Sequence, residues 1–218
     1  MTEKNYGELR LDNNDASPPI GAALVVKVLK YPHPALTRKA KPLVRVDAEL
    51  KKTIREMFDL MHQEKGIGLA ATQVGLPYRF FIMNLAASIE GMNEEYVFIN
   101  PAIKKRSGMA TLEEGCLSLP DIYAEVRRPD KIVISAFDIN GEEFTYELSG
   151  LLARAAQHEY DHIDGIVFTD RLDWAGKRAV KGALAELEEE FETDRRLGRI
   201  PDDKTIKKEL EELESLRT

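Results

Sequence analysis

Apolar positions recur at helical spacing in several stretches of the chain. Across residues 47–63, Leu50, Ile54, Met57, Phe58 and Met61 fall on one face, with Asp47 placed to cap the start and Gly66 to stop the end. From Ser149 a second helix carries Leu151, Leu152, Ala155 and Ala156 through His162 and stops before Gly165. Beyond Gly176 about half the residues are charged; Leu184, Leu187 and Phe191 predict one amphipathic helix there, and Ile206, Leu210, Leu213 and Leu216 another. Arg199-Ile200-Pro201 separates the two, because proline cannot continue a helix. Strand-like runs stand at 25–29, ended by Pro32 and Pro34, and at 79–85, 96–100, 131–138 and 143–148, the last two joined by an Asn140-Gly141 turn. Residues 1–24 are polar, with Asn13-Asn14-Asp15 and Pro18-Pro19, and read as a flexible extension. The pattern predicts an α+β fold of mainly antiparallel β-sheets around a central helix, with a body at 25–175 and a charged C-terminal helical extension at 176–218.

Composition narrows the picture. The 218 residues are 43% hydrophobic, enough for one core, and 32% charged. No run approaches the roughly 18 to 20 apolar residues of a membrane-spanning helix. A formal net charge of −7 argues against a chain-wide grip on nucleic acid or anionic lipid, so neither partner is expected. Cys116 is the single cysteine, which rules out an intramolecular disulfide and a zinc site built from cysteines alone. The first residues carry Glu3, Asp12 and Asp15 with no apolar stretch behind a basic start, so no targeting peptide is read and a cytoplasmic location is expected.

The chemistry centres on His158-Glu159-Tyr160-Asp161-His162, an H-E-x-x-H on a predicted helix. At about 100° per residue, the two histidines lie about 40° apart on one face and can reach one ion. Glu159 sits on the flank of that face, where its carboxylate can reach a water on the metal without being a ligand. A catalytic metal site takes three protein ligands, and this helix supplies two. No histidine follows His162, and the downstream glutamates lie mostly on charged helices. His33, in a Pro-His-Pro turn, and His62, near the end of the first helix, read as structural or surface positions. Cys116 remains, in Glu114-Gly115-Cys116-Leu117-Ser118, and a thiolate beside a divalent cation is a strong donor.

Three segments in order, Gly66–Gly75 (GIGLAATQVG), Glu114–Ser118 (EGCLS) and Gln157–His162 (QHEYDH), resemble the signature stretches of the peptide deformylases. The resemblance extends more loosely over 25–174. It implies Cys116, His158 and His162 as metal ligands, Glu159 as general acid/base, and Gln73 with the Leu117 backbone N–H as oxyanion donors. It places Gly68 and Ile67 along the substrate groove, and Leu151 is expected beside Ile67 in a pocket for the methionine side chain. The implied reaction removes the N-formyl group from the N-terminal methionine of newly made polypeptides and releases formate, with metal-bound water as the nucleophile. The implied ion is Fe(II), with zinc, nickel or cobalt able to occupy the site. The resemblance also raises transient contact with the ribosome, although the mixed charge of the C-terminal helices is not a basic docking tail; a monomer is expected. Glu114 and Arg128 stand either behind the ligands or in surface ion pairs.

Alternatives bear on the same residues. Gly66 to Ala71 fits the dinucleotide fingerprint G-x-G-x-x-A, but a helix precedes it where a strand is required. A metallopeptidase would use the same helix with another third ligand and would survive Cys116→Ala. A metal-binding homologue without turnover would need neither Glu159 nor Gln73.

Overall fold

The computed structural model describes residues 9–11, 26–86 and 94–218. Two short strands, β1 (Arg10–Leu11) and β2 (Arg45–Val46), pair in parallel. Helix α1 spans Ala48–Gln63; its cap, Asp47, accepts a hydrogen bond from the Leu50 N–H at 2.8 Å. Strands β3 (Gly68–Ala70), β4 (Phe80–Asn84), β5 (Glu95–Ser107), β8 (Lys131–Phe137) and β9 (Glu143–Ser149) form the main sheet in the order β3-β4-β5-β8-β9, every pair antiparallel. Strands β6 (Ala110–Cys116) and β7 (Leu119–Arg128) form a separate antiparallel hairpin. Helix α2 covers Gly150–Ile163, α3 Trp174–Arg196 and α4 Asp203–Arg217.

Period-two alternation places this sheet between helices. On one face Phe80, Ile82, Val97 and Ile99 pack with Leu50, Ile54, Met57 and Met61 of α1. On the other, Phe81, Met83 and Phe98 pack with Ala153, Ala155 and Ala156 of α2. Strand β4 is therefore buried on both sides, which is why its sequence runs apolar without alternation. The alanines on α2 let that helix lie close to the sheet and hold its His158 face rigidly. The hairpin is held separately, by Leu119, Ile122 and Val126 packing on Phe168, Leu172 and Val180.

The helix at 47–63 and its buried face agree with the pattern, as do α2, both C-terminal helices and the strands at 79–85, 96–100, 131–138 and 143–148, with β5 running further than its apolar run. The expected strand at 25–29 does not join a sheet over its described residues, 26–29. There the Leu29 N–H bonds Gln73 O at 2.8 Å, and just beyond it the Tyr31 N–H bonds Ser118 O at 2.9 Å, so this segment ties two loops together. The extension at 1–24 lies outside the described residues except for 9–11, and Arg10 and Leu11 pair with β2. The hairpin β6–β7 has no counterpart in the sequence reading. Among the described residues no helix is long and apolar enough to cross a membrane.

The C-terminal helix is anchored by charge. Arg217 donates from Nε and Nη2 to both Asp47 oxygens at 2.9 Å, and its carbonyl accepts from the Val44 N–H at 2.8 Å. Glu214, also buried, pairs with Arg38 and Lys41.

Candidate active site

Helix α2 and the β6–β7 hairpin meet at a cavity of about 520 Å³. The helix brings His158 and His162 one turn apart on one face. The hairpin brings Cys116 from the end of β6, where the register slips between Glu114 and Cys116 and the chain turns through Leu117 and Ser118. Cys116 Sγ lies 3.2 Å from His162 Nε2, and that nitrogen lies 3.2 Å from His158 Nε2. The three donor atoms fall within 4.8 Å of one another. Two imidazole nitrogens and a sulfur directed at one point fit a cation, and the thiolate–imidazole set suits a transition metal over calcium or magnesium.

The surroundings support that fit. His158 Nδ1 lies 3.1 Å from Glu114 Oε2 and donates to it, leaving Nε2 free to ligate. Glu114 in turn takes Nε and Nη2 of Arg128 at 2.7 and 3.0 Å, while Nη1 of Arg128 reaches Asp161 Oδ2 at 2.7 Å. Arg171 closes on Asp161 from outside. Arg154, from α2, also donates to Glu114. Glu114 is thus a buried partner of His158, and Arg128 a buried partner of Glu114, rather than members of a surface ion pair.

Burial disfavours the Glu114 carboxylate, but hydrogen bonds from His158 and Arg128 outweigh it and hold its pKa at about 2. His158 is raised: burial opposes its charge, and the Cys116 and Glu114 contacts overcome it. His162 is lowered by burial and by the charge of His158.

Glu159 is different. Burial raises it to about 7, with the charge of His158 pulling the other way, and its Oε2 has no hydrogen-bond partner among the described residues. A side chain at residue 68 would collide with it, since a Cβ on Gly68 would stand 2.8 Å from Glu159 Oε1. Gly115 is required in the same way by the ring of Tyr123, 2.6 Å from where its Cβ would be. Gln73 is fixed at both ends of its amide: Oε1 accepts from the Ala70 N–H at 2.8 Å, and Nε2 donates to Ser118 Oγ at 3.2 Å.

The residues named in the sequence for metal binding, catalysis and the substrate groove come together here. Ile67, Gly68, Gln73, Leu117 and Glu159 line the cavity beside Cys116 and His158, and His162 is fully buried next to them. Leu151 also lines it but is 51% exposed, so it stands at the mouth rather than in the core. His33 and His62 lie elsewhere, accepting from the Ala35 N–H and contacting Glu95 respectively. Arg154, Ser118, Asp161 and Arg171 were not singled out in the sequence. A basic residue four positions before His158, on the face of an otherwise alanine-rich helix, was the available signal for Arg154.

The family model for polypeptide deformylase matches residues 25–178. A peptide deformylase of Rhodopirellula baltica is 40% identical over 193 residues, covering 88% of this chain and 96% of that one. One from Neisseria meningitidis is 44% identical over 160 residues, 73% of this chain and 94% of the relative. Among solved structures, peptide deformylase 1B of Arabidopsis thaliana with an inhibitor superimposes with a TM-score of 0.74 at 41% identity, covering 81% of this chain and 96% of that chain.

Proposed function

The chain belongs to the polypeptide deformylase family, hydrolases that remove the N-formyl group from the N-terminal methionine of new polypeptides and release formate, and from this premise we propose how its own residues carry that reaction. Cys116, His158 and His162 would hold one divalent ion. Such an ion in a three-ligand site acidifies water and polarises a carbonyl. The donor set accepts Fe(II), Zn(II), Ni(II) or Co(II); of these the family resemblance favours Fe(II).

Glu159 takes a proton from the water that attacks the formyl carbon and returns it to the departing amine. Its unpartnered, buried Oε2 is the observation that carries this assignment, because a carboxylate held near neutral pKa both accepts and releases a proton. Gln73 Nε2 and the Leu117 N–H donate to the oxyanion as the carbon becomes tetrahedral. Gln73 is suited to this because its carbonyl oxygen is already bound to Ala70, which leaves the amine end directed at the Cys116–Ser118 turn. Gly68 and Ile67 line the path of the peptide, with Leu151 at the mouth against the methionine side chain.

The same reading takes residues 25–175 as the catalytic body and 176–218 as a helical extension anchored to it through Arg217. The protein acts as a cytoplasmic monomer on emerging chains, in transient contact with the ribosome and without direct recognition of nucleic acid or membrane. Formate release from a formyl-Met tripeptide tests the assignment of roles. Anaerobically prepared protein should turn the peptide over, lose activity with its metal on chelation, and recover when Fe(II) is returned. Full activity after complete metal removal would overturn the ligand assignment.

A further inference from the structure

Arg154, His158 and His162 stand four residues apart along α2 and so share one helix face. Arg154 is 5% exposed, in a stretch otherwise made of Ala153, Ala155 and Ala156. Its guanidinium reaches across to the hairpin at three places. Nη1 donates to Glu114 Oε1 at 2.6 Å and to Val126 O at 2.8 Å, and Nη2 donates to Ala110 O at 2.9 Å. Those acceptors belong to both strands of the hairpin whose end carries Cys116.

Charge balance does not explain a third arginine here. Glu114 and Asp161 are already matched by Arg128 and Arg171. A further buried cation is expensive to desolvate unless it is hydrogen-bonded, and Arg154 places three of its five N–H groups on two backbone carbonyls and one carboxylate oxygen. What it adds is position. The donor set is divided between two elements, with two imidazoles on the helix and the sulfur on the hairpin. Arg154 spans the two, and it holds the carboxylate that orients His158.

We propose that Arg154 is a positioning residue: it latches the Cys116 hairpin onto α2 and fixes Glu114 against His158 Nδ1, and thereby sets how long the site retains its metal. The inference rests on Cys116, His158 and His162 being the ligands. Substitutions behind a ligating histidine typically cost about 10- to 100-fold in metal affinity, which sets the size expected here.

The test follows metal release from the Zn(II)-loaded full chain into a chelator, and the visible spectrum of the Co(II) form, for wild type, Arg154→Gln, Arg154→Lys, Glu114→Gln and His158→Ala. Arg154→Gln should release zinc at least about tenfold faster and shift the Co(II) bands. Arg154→Lys should fall between, since an ammonium keeps the charge but not the fork that reaches three acceptors. Adding Arg154→Gln to Glu114→Gln should speed release less than Arg154→Gln does alone, because the route through His158 is already lost and only the contacts to Val126 O and Ala110 O remain to be removed. The KM for a formyl-Met tripeptide should stay within about twofold of wild type. Wild-type release and spectra in both Arg154 variants would overturn the proposal while leaving the ligands intact, as would a raised KM with metal retained, which would make Arg154 a substrate contact. Should Arg154→Gln fail to fold, Arg154→Lys decides alone. Tight zinc retention by His158→Ala would overturn the ligand reading itself, and the latch with it.

Discussion

Two of the buried ionic clusters among the described residues do different work. One joins Glu114, Arg128, Asp161 and Arg154 around His158. The other joins Arg217, Asp47, Glu49 and Tyr78 where α4 meets the start of α1. Both use a guanidinium spread over several acceptors, and Glu114, Asp161 and Asp47 are shielded from water, while Glu49 is partly exposed. The first ends on a histidine whose other nitrogen points at two more donors, and it borders a cavity holding Glu159, whose Oε2 has no partner among the described residues. The second contains no histidine and lies away from that cavity. A buried charge cluster is therefore not itself a sign of chemistry. What distinguishes the reactive one is a group left with an open valence.

The comparison predicts that lesions in the first region remove activity, while lesions in the second remove stability. The largest effect belongs to the ligands: His162→Ala should leave the protein without stoichiometric metal and without measurable formate release, checked by metal analysis and assay on one preparation. Gln73→Ala comes next. Removing one donor to a developing oxyanion lowers kcat by about 10²- to 10³-fold, with metal content unchanged, and steady-state kinetics on metal-replete protein reads it directly. Gly68→Ala should follow, with kcat down by about tenfold or more, because its new Cβ displaces the Glu159 carboxylate and small misplacements at a reacting group are costly.

The smallest effect on catalysis belongs to the second cluster. Asp47→Asn breaks a buried pair and should cost about 3 kcal/mol, lowering Tm by roughly 6–12 °C, while kcat per folded molecule stays at the wild-type value. Asp47 loses solvation on burial, but the hydrogen bonds and charge of Arg217 outweigh this and hold its pKa below the ordinary value. Its stabilising share is thus complete above the unfolded carboxylate pKa of about 4 and is lost as pH falls through the lower folded value. The gap in stability between wild type and Asp47→Asn should therefore narrow in acid, and denaturant titrations across that range would show it. An equal gap at every pH would mean that the pair is not what anchors the helix.

Much of this was legible from residue order, and the reasons are local. His158, Glu159 and His162 are read together because one helical turn brings them together, and Cys116 stands out because it is the chain's single thiol. Leu50, Ile54, Met57, Phe58 and Met61 announce a helix because one face of it is buried. The β6–β7 hairpin hid its pattern: Leu112 and Tyr123 are exposed, so alternation of apolar and polar residues is lost there. The segment at 26–30 joins no strand; its Leu29 and the following Tyr31 bond carbonyls of a short 3-10 turn at Gln73 and of the turn at Ser118, which no periodicity encodes. Glu214 and Arg217 read as ordinary members of a charged helix, and only the fold reveals that they are buried. Arg154 escaped for a related reason. A lone arginine on a helix reads as solvent-facing, and its partners lie at Ala110, Glu114 and Val126, far back along the chain.

The most direct test of the account compares wild type with Glu159→Gln, both purified anaerobically, measuring formate from a formyl-Met tripeptide and metal content together. The account predicts rapid release by the wild type and a loss of at least about 10²-fold in a variant that still holds its metal. Wild-type rates from metal-loaded Glu159→Gln would contradict the role given to this carboxylate, and formate from neither protein with metal present in both would contradict the active-site assignment as a whole.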